Sequence, residues 1–190
     1  TTSLRALRLI GDSLSAHFEH SGHIRVLVQG QSPKRRLLEQ FRDAGTQGRP
    51  GCILVASVSF WEGVDVPGDA LQMVVIDKLP FPPPNDPLVE ARSQRVEREG
   101  RSAFSAYSMP EAAVALKQGA GRLIRSETDR GVLVIGDTRL TAMGYGKRLL
   151  ASLPPMRVLK TEAEFGEMLA TLAVPASPIT TSSTTDPTWP

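Results

Sequence analysis

Gln118, Arg122 and Arg125 place an amide and a pair of guanidinium groups inside the run Gln118-Gly119-Ala120-Gly121-Arg122-Leu123-Ile124-Arg125. On a continuous helix they fall at i, i+4 and i+7, so all three project from one face. Glycine costs roughly 1 kcal/mol in a helix interior relative to alanine, and Gly119 and Gly121 both stand in this run. Such a sequence suits a partner that comes close to the backbone. An arginine fork pairs its N–H groups with phosphate oxygens, so the face cleared by Gly121 fits a polyphosphate. A solvated polar stripe, with the glycines placed for helix packing, explains the same spacing equally well.

A second polar stretch is Ser57-Val58-Ser59-Phe60-Trp61-Glu62-Gly63-Val64-Asp65-Val66-Pro67-Gly68, directly after an apolar run. In open α/β sheets ligands bind outside the carboxyl ends of the strands, which is where this loop begins. Ser57 and Ser59 are able to bind a phosphate, while Glu62 and Asp65 are able to orient a hydroxyl, a water or an arginine. The plainer alternative is a Gly- and Pro-rich turn packed over Phe60 and Trp61. His17, His20 and His23 lie three apart, but no carboxylate or cysteine completes a ligand set, so no metal site is expected. Lys34, Arg35 and Arg36 read as a solvated helix face or as phosphate contacts. Arg92, Arg95, Arg98 and Arg101, interleaved with Glu90, Glu97 and Glu99, read as an ion-paired surface. The proline-rich loop at 80–87 is either a stiff connection or a guide for nucleic acid.

These groups need a frame, and the apolar pattern supplies one. Leu4, Leu7, Ile10, Leu14 and Phe18 recur at helical spacing behind Ser3, which predicts an N-capped helix over 4–20. A strand is predicted at 24–28, a helix at 33–43 opened by Ser32-Pro33, a loop at 45–51, and strands at 52–57, 71–77 and 131–137. Helices are predicted at about 86–99, 102–107, 110–125, 139–152 and 161–172. The strand runs are apolar without alternation, as in a parallel sheet with helices on both faces, so the class is α/β with a mostly parallel sheet. From Ala173 the chain turns to Pro, Ser and Thr. One domain over 1–172 and a disordered tail or linker over 173–190 are therefore expected. The opening residues read as a helix start with no strand before it, as in a fragment.

Bulk composition bounds the function classes. A length of 190 residues suits one domain with a tail, and 41% hydrophobic with 22% charged residues supports a real core. The net charge of +2 is too small to demand a nucleic-acid partner, so any basic surface must be local. The single cysteine, Cys52, excludes a disulfide framework and any cysteine-only zinc or iron–sulfur site within the chain. Its apolar neighbours predict a buried strand position. No signal peptide is evident, and no apolar stretch approaches the ~20 residues that span a bilayer, so a cytoplasmic protein without a membrane partner is expected.

Taken together, the two polar stretches resemble motifs V and VI of superfamily-two helicases. The wording Ser59-Phe60-Trp61-Glu62-Gly63-Val64-Asp65-Val66-Pro67-Gly68 is similar to the XPD/DinG branch in particular. Lys78-Leu79-Pro80-Phe81-Pro82-Pro83-Pro84-Asn85-Asp86-Pro87, Gln29-Gly30-Gln31 and Gly136-Asp137-Thr138-Arg139 are similar to that branch as well. The resemblance runs from about residue 1 to 172 with the motifs in the expected order. It implies a RecA-like, P-loop NTPase-type second helicase domain whose first strand is truncated. It also implies ATP at a cleft between this domain and a first RecA-like domain of the same polypeptide. Arg125 would be the arginine finger on the γ-phosphate, Arg122 its support, and Gln118 the link between nucleotide and domain closure. Gly63 and Asp65, with Glu62 and Gly121, would stand near the nucleotide. Ser59 and Gln29 would face single-stranded DNA, as would Ser3 in Thr2-Ser3-Leu4, which looks like the end of motif IV.

No Gly-x-x-x-x-Gly-Lys-Ser/Thr loop occurs. Gly144-Tyr145-Gly146-Lys147-Arg148 lacks both the first glycine and the hydroxyl. No DEAD- or DEAH-like acidic box is visible either. The resemblance therefore assigns the main grip on ATP and Mg2+ to the first domain, and only that domain could hold the branch's four-cysteine iron–sulfur cluster. The full-length protein is expected to be an ATP-dependent DNA helicase moving 5′-to-3′, and the isolated chain to bind ATP weakly without turning it over. The alternatives are a non-catalytic RecA-like module that grips nucleic acid or a partner, and an unrelated nucleotide-binding enzyme of doubly wound fold. The first has no need of a finger arginine, and the second would need its own phosphate loop.

Overall fold

A computed structural model describes residues 1–46, 48–60, 66, 70–124 and 129–172. The chain divides into two compact units, Thr1–Val158 and Leu159–Pro190. In the first, helix α1 spans Leu4–Phe18, and the Ser3 side chain accepts a hydrogen bond from the Ala6 N–H at 3.1 Å, the N-cap that the sequence predicts. Strand β1 (Ile24–Val28) pairs in parallel with β2 (Gly51–Val55), register Ile24 to Gly51, with helix α2 (Lys34–Arg42) as the crossover. Helix α1 lies on this pair. Gly11 makes the approach possible, because a Cβ there would stand 3.0 Å from both Val28 methyl groups.

Strand β3 (Met73–Ile76) pairs in parallel with β4 (Val132–Ile135), register Met73 to Val132. Between them run α3 (Pro87–Arg98), a wide π-helical turn at Phe104–Ser108 and α4 (Met109–Ala120). Asp86 caps α3 by accepting from the Leu88 and Val89 N–H groups, with Pro87 in the first helical position. The main core forms where Ile76 and Leu79 meet Met109, Ala112 and Leu116 of α4 and Leu140 and Leu149 beyond β4. Full burial of Ile76, Leu116 and Leu149 contributes roughly 1.5–3 kcal/mol apiece. Val75, on the opposite face of β3, remains 60% exposed. A second core joins Leu27, Leu37, Leu38, Phe60 and Val66, and a third joins Leu7, Val28 and Val55.

Both strand pairs are parallel, as the unalternating apolar runs predict, and they meet at their carboxyl ends. The Thr1 amine donates to the Ala56 carbonyl at 2.6 Å, and the Val58 N–H donates to the Thr1 carbonyl at 3.1 Å. The Thr2 N–H reaches Asp77 Oδ1, just past β3, at 3.1 Å.

Three expectations need correction. The helix expected at 139–152 is two helices, α5 (Arg139–Ala142) and α6 (Gly146–Ala151), because Met143 between them is extended (φ −103°, ψ 144°). Gly146 closes the elbow so tightly that a Cβ there would overlap the Leu140 carbonyl. The helix expected at 110–125 stops at Ala120. Cys52 is half-buried rather than buried.

In the second unit, α7 (Glu162–Leu172) starts with a capping box. Thr161 Oγ1 accepts from the Glu164 N–H at 3.2 Å, and Glu164 Oε2 accepts from the N–H groups of Lys160 and Thr161. The tail expected at 173–190 lies outside the described residues. No helix among the described residues is long and apolar enough to cross a membrane.

Candidate functional site

The carboxyl rim of β1–β2 gathers three of the sequence-predicted residues. The Gln29 N–H extends the ladder by donating to the Val55 carbonyl at 2.9 Å, and Gly30, at φ +98°, turns the chain away immediately afterwards. Gln29 Oε1 accepts from the Ser57 N–H at 2.8 Å and from Ser57 Oγ at 3.0 Å, while Ser59 Oγ lies 2.8 Å from Ser57 Oγ. Since Ser57 gives its proton to Gln29, Ser59 donates to Ser57. A phosphate would draw that proton outward at the cost of one exposed hydrogen bond, about 0.5–1.5 kcal/mol. Ser59 is exposed because the tight turn Val58–Phe60 drives its neighbour Phe60 into the second core. Ser3 joins the same rim, since the Val58 N–H is bonded to the Thr1 carbonyl two residues before Ser3, which caps the start of α1.

At the rim of β3–β4 the organising residue is Asp137. Its carboxylate accepts from the Leu79 N–H at 2.9 Å, from the Arg139 N–H at 3.0 Å, and from the Arg139 guanidinium through Nε and Nη2, the shortest contact being 2.6 Å. The Asp137 side chain is 6% exposed and that of Arg139 47%, so the carboxylate is the anchored end. The Arg139 fork, helped by the two backbone N–H groups and opposed by burial, holds the Asp137 carboxyl well below the usual carboxylate range. In the sequence these residues stand out only as motif wording. The available signal was Asp137 two residues before Arg139, a spacing that lets one carboxylate take both backbone and side-chain donors.

The polar run after α4 departs from a single helical face. Gln118 is exposed on the last turn of α4, whereas Gly119 and Ala120 are buried. Gly121 ends the helix, with its N–H on the Lys117 carbonyl at 2.8 Å. The Arg122 N–H turns to the Gly119 carbonyl and the Leu123 N–H to the Ala120 carbonyl, a switch from four-residue to three-residue spacing. A Cβ at Gly121 would lie 3.2 Å from the Lys117 carbonyl oxygen, tighter than ordinary contact. The turn is pinned by Leu123, which is buried over Gly131 at the mouth of β4, where no side chain would fit. Arg122 is half-buried, with its Nε closed to solvent. Arg125, Glu62, Gly63 and Asp65 lie outside the described residues.

Among the described residues no three His, Cys, Asp or Glu side chains gather as a metal site. Burial pushes the Cys52 thiol up to about 11, against a smaller pull from Arg25, so it is a poor nucleophile near neutral pH.

Residues 1–156 match the helicase C-terminal domain family. The chain is 46% identical over 164 residues to the ATP-dependent DNA helicase YoaA of Escherichia coli (strain K12), an alignment covering 86% of this chain and 24% of that protein. It is 41% identical over 155 residues to the ATP-dependent helicase DinG of Mycobacterium tuberculosis (strain ATCC 25618 / H37Rv), covering 81% and 22%. To the 3'-5' exonuclease DinG of Bacillus subtilis (strain 168) it is 36% identical over 173 residues, covering 89% and 18%. The chain thus spans no more than about a quarter of the length of these relatives.

Proposed function

We propose that this chain, which belongs to the helicase C-terminal domain family of XPD/DinG-like helicases, is the second motor domain of an ATP-dependent DNA helicase. The observation that carries the reading is the Gln29–Ser57–Ser59 cluster, held beside Ser3 at one carboxyl rim, where α/β sheets meet their ligands. Hydroxyls, an amide and a helix N-terminus contact phosphates without reading bases, which is what a motor stepping along any sequence needs. Each phosphate of a single strand so held would contribute about −0.7 to the salt slope of binding.

The chemical half of the site is the turn after α4 together with the Glu62–Asp65 segment. Arg125 forks onto the γ-phosphate, Arg122 supports it from its half-buried seat, and Gln118 couples nucleotide to closure. Glu62, Gly63, Asp65 and Gly121 are the residues that the motif resemblance assigns to the nucleotide's vicinity. An arginine finger accelerates phosphoryl transfer about 10³–10⁵-fold, roughly 4–7 kcal/mol of barrier. Because it comes from a second domain, hydrolysis requires closure, and closure becomes movement along the strand. The first RecA-like domain of the same polypeptide holds the phosphates and Mg2+, and any iron–sulfur cluster belongs there, since this chain has a single cysteine. Movement 5′-to-3′ and a cytoplasmic location complete the proposal.

The isolated chain tests this division of labour. It is expected to bind ATP weakly and to show no DNA-stimulated turnover. Steady hydrolysis by the purified chain would mean that it carries a complete site.

A further inference from the structure

Phe81, Phe104 and Tyr145 come from three separate segments, the loop after β3, the π-helical turn and the elbow between α5 and α6. Their ring centroids meet at 5.5 Å (Phe81–Phe104), 5.7 Å (Phe81–Tyr145) and 5.2 Å (Phe104–Tyr145), the last two edge to face. Phe81 and Tyr145 pack against the main core, whereas Phe104 stands on them and remains 42% exposed. A ring wanted only for burial would turn inward. The backbone beneath it is a π-helical turn, in which the Met109 N–H bonds the Phe104 carbonyl five residues back, a rare geometry that is frequent at functional sites.

The seat beneath the ring is fixed independently. Asp137 ties the loop down through the Leu79 N–H and holds the Arg139 guanidinium 5.6 Å over the Phe81 ring, and Pro82, Pro83 and Pro84 stiffen the chain between Phe81 and α3. Lys78 beside the loop and Lys147 and Arg148 beside the elbow are exposed, so the surroundings favour a polyanion. The cluster sits at the ends of β3 and β4, the rim that Thr2 and Asp77 join to Thr1 and Ser3.

We propose that Phe104, seated on Phe81 and Tyr145, is a stacking platform for a base of the single strand whose phosphates pass Ser3 and Ser59. This rests on the reading of the chain as a single-strand motor domain. A duplex covers both faces of each base, whereas a single strand offers them, and any base will stack, so the platform is compatible with sequence-independent movement. Within the platform, Asp137 is a positioning residue.

The test measures binding by the protein carrying both motor domains to an oligo-dT strand and to an abasic strand of the same length and charge. Phe104→Ala is expected to weaken dT binding roughly 5- to 150-fold, the range of one lost stacking contact, and to leave abasic binding unchanged. Phe104→Trp is expected to restore dT binding. An oligo-rU arm separates RNA from DNA as the source of the base. Equal losses on both strands, or no loss on either, overturn the platform, the latter pointing to a protein partner for the ring. If the unmodified protein still shows strand-stimulated ATP hydrolysis, only the platform falls. If it shows none, the motor reading falls with it.

Discussion

Asp137 shows how much one carboxylate organises. It receives the Leu79 N–H, the Arg139 N–H and the Arg139 fork, tying the loop after β3 to the end of β4. Asp137→Asn keeps the size but loses the charge. With Arg139 half in solvent, the expected loss at neutral pH is about 1–2 kcal/mol, below that of a fully buried charged hydrogen bond. The folded-state carboxyl is depressed, so its stabilisation is fully present above the ordinary aspartate value of about 4 and is lost as pH falls from there through the folded value. Urea unfolding of both proteins should therefore show a gap that narrows below about pH 4. A gap of the same size at neutral and acid pH would mean that the charge is not what matters. At this scale the sequence was partly legible. Ser3 as an N-cap and Ser59 and Gln29 as rim residues follow from local pattern and motif wording. That Gln29 and Ser57 bond each other does not, because the pair spans β1 and β2 and depends on the register between them.

Helices and strands emerged from periodicity wherever packing agrees with the local pattern. The parallel pairing of β1 with β2 and of β3 with β4 is what unbroken apolar runs foretell. Where packing overrides the pattern, structure and pattern part. Residues 139–152 carry a helical pattern throughout, yet Gly146 must pass the Leu140 carbonyl, so the segment folds into α5, an elbow and α6. Gly144 and Gly146, which resemble a damaged phosphate loop, stand at the elbow, and only Gly146 is closely approached there. Gly146→Ala should destabilise the fold by about 1–3 kcal/mol, an overpacking cost. Gly144→Ala, with nothing within 4 Å of the new Cβ, should change stability little. Thermal melts of the two variants decide this, and equal shifts would show that the elbow tolerates a side chain. The end of α4 at Ala120 and the π-helical turn at Phe104–Ser108 were invisible for the same reason. A shift of hydrogen-bond partner by one residue leaves no trace in composition.

At the scale of the whole molecule, the proposal is that of a half-site. The chain has a rim suited to phosphates, a turn bearing Arg122, family membership over residues 1–156, and no phosphate-binding loop of its own. The family was legible in the motif wording over residues 1–156, whereas the division of the ATP site is the proposal that remains to be measured. The one measurement that tests it most directly is single-strand-stimulated ATP hydrolysis by the protein carrying both motor domains, with Arg125→Ala beside the unmodified form. The account predicts a loss of about 10³-fold or more in turnover with nucleotide affinity largely retained. Near-normal turnover would contradict it, for then the turn after α4 does not face the γ-phosphate.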